Sequence, residues 1–397
     1  MALFRGRTGR LRRLCAATVT LALAGAAGAQ AAAAEPHDPA LTLALDYRLD
    51  SVGVLRGGAA RGTDLLDGLT LSADLDLDRA VGWVGGSAHL DLLNTSGEAP
   101  SLRAGALQGV DALEVSAQRL RLYQAWLEQS LAGGLVNLRL GFSDVSGEFG
   151  VADASGLLLN PSFGMAPDFA ASGAAAYPST SLGLRVRVEP SPTTYLQAAL
   201  VNARTGVPGD DGGADLSFDD GTVLVAEAGA TARGKVAVGY WRLTRRQDDL
   251  AALDAAGRPV RRAAQGAYAL VERPLTEGPV RALTGFLRAG IAEGRTGPFR
   301  GSVQAGLLAA PVFAGRPDSS LTVGVTYAAL GRAYRDASVL AGGPVLDRGE
   351  TVLELAYSDE LNDRVRLQPG LQFIHRPGGD PQVKDAVVAS LRVDIGF

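Results

Sequence analysis

Side chains able to do covalent or metal chemistry are scarce in this chain. Its imidazoles are His37, His89 and His375, and its one cysteine is Cys15. They are scattered beyond any metal-ligand spacing, and no serine–histidine pair stands in a recognisable nucleophile motif. What recurs instead is a set of guanidinium groups, carboxylates, amides and indoles on one parity of alternating segments. Arg139, Arg185 and Arg187 are the leading cations; Trp126, Glu128, Trp241, Glu354, Gln368, Gln372 and Arg392 complete the set. Such groups hold a polar solute by hydrogen bonds and stacking without transforming it. No enzyme activity, cofactor or metal is expected.

The elements that must position them are β-strands, because alternate strand residues point to opposite faces. Val387, Ala389, Leu391, Val393, Ile395 and Phe397 form a wholly apolar parity, whereas Val388, Ser390, Arg392, Asp394 and Gly396 form the other. Leu69, Leu71, Ala73, Leu75 and Leu77 likewise oppose Thr70, Ser72, Asp74, Asp76 and Asp78. An outer-membrane barrel turns its apolar parity to lipid and its polar parity to a wet lumen. By that rule Val136, Leu138 and Leu140 face lipid and Arg139 faces in; Leu184 and Val186 face lipid and Arg185 and Arg187 face in. Gln124, Trp126 and Glu128 join the inner wall if the parity of Arg119–Leu131 slips before Tyr123. An apolar parity finishing on Phe397 is also the pattern that barrel-assembly machinery reads, so that machinery is an expected partner.

Period-2 segments bounded by Gly, Pro, Asn or Asp number about sixteen, among them Leu41–Asp50, Leu69–Asp78, Arg119–Leu131, Thr194–Asn202, Lys235–Arg245, Gln265–Pro274 and Ser320–Leu330. Short connections, such as Ala132–Gly134 and Ala232–Gly234, alternate with long ones, such as Asn94–Gln118, Ala203–Gly221, Arg246–Ala264 and Gly331–Gly349. Short inner turns and longer outer loops are the habit of bacterial barrels. The fold expected is therefore all-β, a transmembrane antiparallel β-barrel of about sixteen strands, wide enough to leave an aqueous channel. Loop Asp144–Thr180 is long and carries Leu157, Leu158, Leu159, Phe149, Phe163, Phe169 and Tyr177. A loop of that length and apolar content is expected to fold into the lumen as a constriction.

Arg5, Arg7, Arg10, Arg12 and Arg13 precede an apolar run from Leu14 to about Ala29, which reads as a secretory signal peptide over residues 1–31, cleaved between 29 and 34. Without those five arginines, 33 basic residues face 42 acidic ones. A surplus of acids argues against a nucleic-acid partner. Residues 35–397 show no linker or compositional break and read as a single barrel domain in the bacterial outer membrane.

Several runs resemble the carbohydrate-selective porins of the OprB type. They include Leu122–Leu131 with Leu138–Phe142, Leu159–Gly164, Tyr177-Pro178 ahead of Leu182–Arg187, Tyr195–Ala199, Gly239–Trp241, Gly315–Asp318 and Leu367–Gly379. Their shared order from about Gly57 to Phe397 carries the resemblance. It implies a sixteen-stranded porin, monomeric or trimeric, that passes glucose and other sugars into the periplasm by diffusion. A sugar has hydroxyl rims and apolar ring faces, so a passage for it needs planar donors and aromatic faces that bind weakly enough to release. On this reading Arg139, Arg185, Arg187, Glu128 and Trp126 line the path, and Trp241 is offered either for stacking on a sugar ring or for an interfacial aromatic belt. Asp74, Asp76 and Asp78 would face the arginines across the bore and set up a transverse field. The alternative is a general or anion-preferring pore drawn by the same arginines.

Overall fold

The computed structural model describes residues 39–397 apart from 116, 175 and 176, so the expected leader lies outside the described residues. The alternating segments become sixteen strands. They are β1 (Leu41–Gly58), β2 (Gly62–Asp76), β3 (Gly86–Ser96), β4 (Arg119–Leu131), β5 (Val136–Ser143), β6 (Ser181–Ser191), β7 (Thr194–Asn202) and β8 (Thr222–Ala230). The second half comprises β9 (Lys235–Leu253), β10 (Pro259–Pro274), β11 (Ala282–Ala292), β12 (Phe299–Ala310), β13 (Ser320–Leu330), β14 (Gly349–Asn362), β15 (Val365–His375) and β16 (Lys384–Gly396). Each strand pairs antiparallel with its sequence neighbours, and β1 pairs with β16 from Asp46↔Gly396 to Gly58↔Lys384, closing the barrel. Closure removes the first and last strand edges, so ladder N–H and C=O groups of the barrel wall pair between neighbouring strands, as a hydrocarbon surround demands.

The parity rule holds around the cylinder. Leu43, Leu65, Leu140, Leu196, Leu287 and Leu353 are exposed on the outside, whereas Asp64, Arg185, Gln197, Glu354 and Arg392 are buried on the inside. This is the inverse of a water-soluble protein, and lipid is what covers such an exterior. Aromatic rings mark its borders: Trp83, Phe313 and Tyr357 near the short turns, Tyr240 and Tyr327 toward the long-loop ends. Among the described residues no helix is long and apolar enough to cross a membrane.

Three expectations are corrected. Arg246–Ala264 is not a loop: β9 and β10 continue as a paired hairpin, Arg261↔Asp248 and Pro259↔Leu253. Strand β2 stops at Asp76, whose carboxylate caps the helix Leu77–Val81, so Asp78 belongs to that helix and not to the wall. Strand β1 runs on past Asp50 to Gly58. The slip in β4 falls at Tyr123, which has no Cα partner where Asp91 pairs Gln124 and Leu92 pairs Leu122. That bulge sets Gln124, Trp126 and Glu128 on the inner parity.

The apolar core sits between the inner wall and the loops that enter the bore. One cluster joins Phe149, Met165 and Phe169 of the β5–β6 loop to Val201, Val225, Trp241 and Tyr268. A second joins Val110 and Leu113 of the β3–β4 loop to Val52, Val352, Ile374 and Val388.

Candidate functional site

Residues 144–180 leave the wall at β5 and touch the inner face of strand after strand before returning at β6. Glu227 of β8 accepts from the Gly150 N–H at 2.7 Å, and Glu272 of β10 from the Ala154 N–H at 2.9 Å. Arg288 of β11, fully buried, donates to the carbonyls of Gly150, Ser162 and Gly164 at 2.6–2.7 Å. Glu354 of β14 accepts from Leu159 N–H at 2.6 Å and Asn160 N–H at 3.0 Å, and Gln368 of β15 donates to the Leu157 carbonyl at 2.7 Å. Those strands run from β8, two places from β6, round to β14 and β15 on the far part of the sheet order. The loop holds only short helical turns (Val145–Gly147, Asp153–Ser155, Pro161–Gly164 and Pro167–Ala170), so part of its backbone is satisfied by wall side chains.

The β3–β4 loop enters as well, which parity alone did not foretell. Glu350 of β14 accepts from Leu107 and Gln108 N–H groups at 2.9 and 2.8 Å, and Gln372 of β15 donates to the Val110 carbonyl at 2.8 Å. Arg392 of β16 grips buried Asp50 through two bonds of 2.8 and 2.6 Å and reaches Asp111 of the loop at 3.4 Å. Burial and the neighbouring Asp50 push the Asp111 carboxyl up to about 8, with Arg392 opposing them.

The sequence candidates thus divide into three groups. Glu354, Gln368, Gln372 and Arg392 face inward but hold the loops; Glu354 is fully buried and closed to any solute. Trp241 is 1% exposed and stacks on Phe169 at 4.9 Å and 14°, so it is neither a stacking platform in the passage nor a belt residue. Phe169 of the inward loop covers it.

The third group stands together on β4, β5 and β6. Arg139 pairs with Glu128 at 2.9 Å and with Glu148 at 2.7 Å; Arg185 pairs with the same two carboxylates at 2.6 and 2.8 Å. Two cations and two anions close a ring whose net charge is zero. The Arg139 guanidinium also lies 3.8 Å from the Trp126 ring centroid, and His89 stacks on the other side of this set, 4.9 Å from Trp126. Arg187 bonds Glu189 and Gln197 at 2.7 and 2.9 Å and sits 4.3 Å over Tyr195. Asp74 bonds His89 at 2.7 Å on this same wall. Carboxylates and arginines are therefore interleaved on one wall, with Asp74 beside the arginine set and not across the bore from it.

Two cavities border the inward loops. One, of about 530 Å³, lies among Leu107, Gln108, Asn160, Ser162 and Phe299; the other, of about 540 Å³, is lined by Arg48, Thr70, Arg366, Gln368, Arg392 and Asp394. Gly156 and Tyr177 border both. Arg48, Arg366 and Asp394 were missed as candidates, although their parity opposite Tyr47, Leu367 and Val393 was readable. The second cavity has the size of a small-molecule site (about 300–1,000 Å³) and a lining of donors and acceptors.

A family model described as carbohydrate-selective porin, OprB family, matches residues 60–397. The chain belongs to that family. It is 22% identical to Porin B of Pseudomonas aeruginosa, over 89% of this chain and 87% of that one. The fold is shared with the high-pH structure of Pseudomonas putida OprB, with a TM-score of 0.81, 22% identity and coverage of 90% of this chain and 94% of that chain. The channel DcaP of Acinetobacter baumannii is more distant, with a TM-score of 0.56 and 11% identity over 90% of this chain and 97% of that one. This porin is an outer-membrane barrel with a preference for carbohydrates.

Proposed function

We propose that glucose-type monosaccharides are what this sugar-preferring porin admits, and that residues 144–180 form its constriction. The observation that carries the reading is the pair of cavities meeting at Gly156 and Tyr177, one of them lined by guanidinium, amide and carboxylate groups. A pyranose entering there meets Arg48, Arg366 and Gln368 as donors, Asp394 as acceptor and the Tyr177 ring as an apolar face. Arg139, Arg185, Glu128 and Trp126 offer a second, electrically balanced wall beside it. Weak, multiple contacts of this kind slow a sugar without trapping it.

The anion-preferring alternative needs unpaired cations in the bore. Arg139 and Arg185 instead share Glu128 and Glu148 within 2.9 Å, which favours a neutral solute. We read the chain as non-catalytic: Ser72 donates to Asp91 at 2.6 Å, and His89 spans Asp74 and Asp91, so neither arms the other for nucleophilic attack. The exposed Phe397 ring, whose backbone N–H bonds Leu45 at 3.0 Å, is the feature we assign to recognition by assembly machinery. Single-channel current in planar bilayers tests the proposal. Glucose added to one side is expected to block current in a saturable way; strong chloride selectivity with no sugar block would favour the alternative.

A further inference from the structure

The hairpin that replaced an expected loop carries a charge pattern which passage through the bore does not use. On the outward parity of β9, Val238 and Tyr240 face lipid, and the next residues of that parity are Arg242, Thr244 and Arg246. At strand rise and tilt, Arg242 stands ~5 Å and Arg246 ~15 Å beyond the Tyr240 ring, on the long-loop side. Here lies a cavity of about 500 Å³ lined by Arg242, Arg246, Arg261, Arg262, Arg295 and Glu293. Nearby carboxylates satisfy part of this set. Asp249 binds Arg262 and Arg295 at 2.7 and 2.6 Å, Asp248 lies 3.5 Å from Arg261, and Glu293 accepts from the backbone of Arg295 and Thr296. Five guanidinium groups thus face three carboxylates, and no ion pair to Arg242 or Arg246 occurs among the described residues.

We propose that this pocket binds a phosphate group on the sugar headgroup of a phosphorylated glycolipid in the outer leaflet. Four features fix the occupant. Arg242, Arg246, Arg261 and Gln265 of its lining share the outward parity of Val238 and Tyr240, away from the bore. It begins just above the aromatic border, at headgroup height. Its excess charge is positive and made only of arginine, whose planar fork matches phosphate oxygens two at a time. Gln265, bonded to the Tyr240 hydroxyl at 3.1 Å, adds a neutral amide at the base of the pocket, suited to sugar hydroxyls beside the phosphate. The strand extension beyond the membrane then has a purpose: it carries arginines up through the headgroup layer, tying the hairpin to the surrounding lipid.

The test compares binding of detergent-solubilised porin to bisphosphorylated lipid A, to the same lipid with its phosphates removed, and to inorganic phosphate, read by native mass spectrometry. The double variant Arg242→Gln/Arg246→Gln is the perturbation, and Arg332→Gln, on the helix Arg332–Leu340 and exposed, is the control. Both are checked for folding by resistance of the barrel to detergent below its melting temperature and by unchanged channel conductance. Wild type and control are expected to retain the phosphorylated lipid, and the double variant to bind it about 30-fold more weakly, the effect of two cations at a charged surface. Removal of the phosphates should weaken wild-type binding to a similar degree. Equal binding by wild type and double variant, or binding indifferent to the phosphates, would overturn the proposal. So would inorganic phosphate bound as tightly as the lipid, since the site would then be one for free phosphate.

Discussion

Glu354→Ala asks whether the inward loop is held by wall carboxylates. The wild-type side chain is fully buried and accepts from two loop amides, Leu159 at 2.6 Å and Asn160 at 3.0 Å. Each bond to an ionised acceptor contributes about 1.5–3 kcal/mol, and truncation leaves two buried donors without partners. Against this, deletion also removes the desolvation cost of a buried charge. A net loss of ~2–3 kcal/mol in loop docking is the balance of these terms. Gln368 keeps its grip on Leu157, and Arg288, Glu272 and Glu227 keep theirs, so the loosening is confined to Leu158–Asn160, beside the first cavity. A loss of that size raises the undocked fraction of the loop roughly 30- to 150-fold. Single-channel recording should show this as excess open-channel noise, a higher mean conductance and weaker glucose block. Barrel melting should change little, because the ladder of sixteen strands is untouched. Glu354→Gln, which keeps one acceptor, should fall between. Noise and glucose block identical to wild type would refute the anchoring argument.

Four further outcomes follow from the same geometry. Arg139→Ala breaks the balanced ring with Glu128 and Glu148 and leaves excess negative charge beside the path; reversal potentials in a salt gradient should shift toward cations, roughly two- to fivefold in permeability ratio. Trp241→Ala removes the stack on Phe169 and should lower loop and barrel stability by about 3–5 kcal/mol, read as an earlier thermal transition. A variant keeping Trp241 as its only tryptophan should show no fluorescence change with glucose, whereas quenching would put that ring in the passage. Docking of the β3–β4 loop should depend on pH through Asp111, which faces Asp50 of β1, Arg392 of β16 and the Leu113 N–H of its own loop. Its carboxyl titrates at about 8 when docked and near the ordinary ~3.9 when free. The docked state thus binds more protons, and docking weakens as pH rises from about 4 to about 8, then levels off. Channel noise recorded across that range should rise with pH in wild type and stay flat in Asp111→Asn; a flat wild-type profile counts against it.

Much of the barrel was legible because lipid on one side and water on the other impose a strict period of two. Arg119–Leu131, Thr194–Asn202 and Ser320–Leu330 match the observed strands end to end. The signal vanished where a strand left the membrane: in Arg246–Leu253 and Pro259–Ala264 both faces meet polar surroundings, and the polarity reads as loop. Parity also told which side a residue faces without telling what occupies that side. Glu354, Gln372 and Trp241 lie on the inner side of the wall, yet loop backbone and Phe169 reach them before any solute can. Only contacts distant in sequence, such as Glu350 with Gln108, decide that occupancy, and no local pattern announces them. The bulge at Tyr123 is an intermediate case, visible as a parity slip and placed by the pairing with β3.

Liposome swelling driven by purified porin is the most direct test of a watery bore lined for sugars. Vesicles carrying the protein should swell faster in isotonic glucose than in a straight-chain polyol of similar mass, and both should exceed protein-free vesicles. Equal rates for the two solutes would reduce the protein to a general pore, and swelling no faster than bare lipid would contradict an open passage altogether.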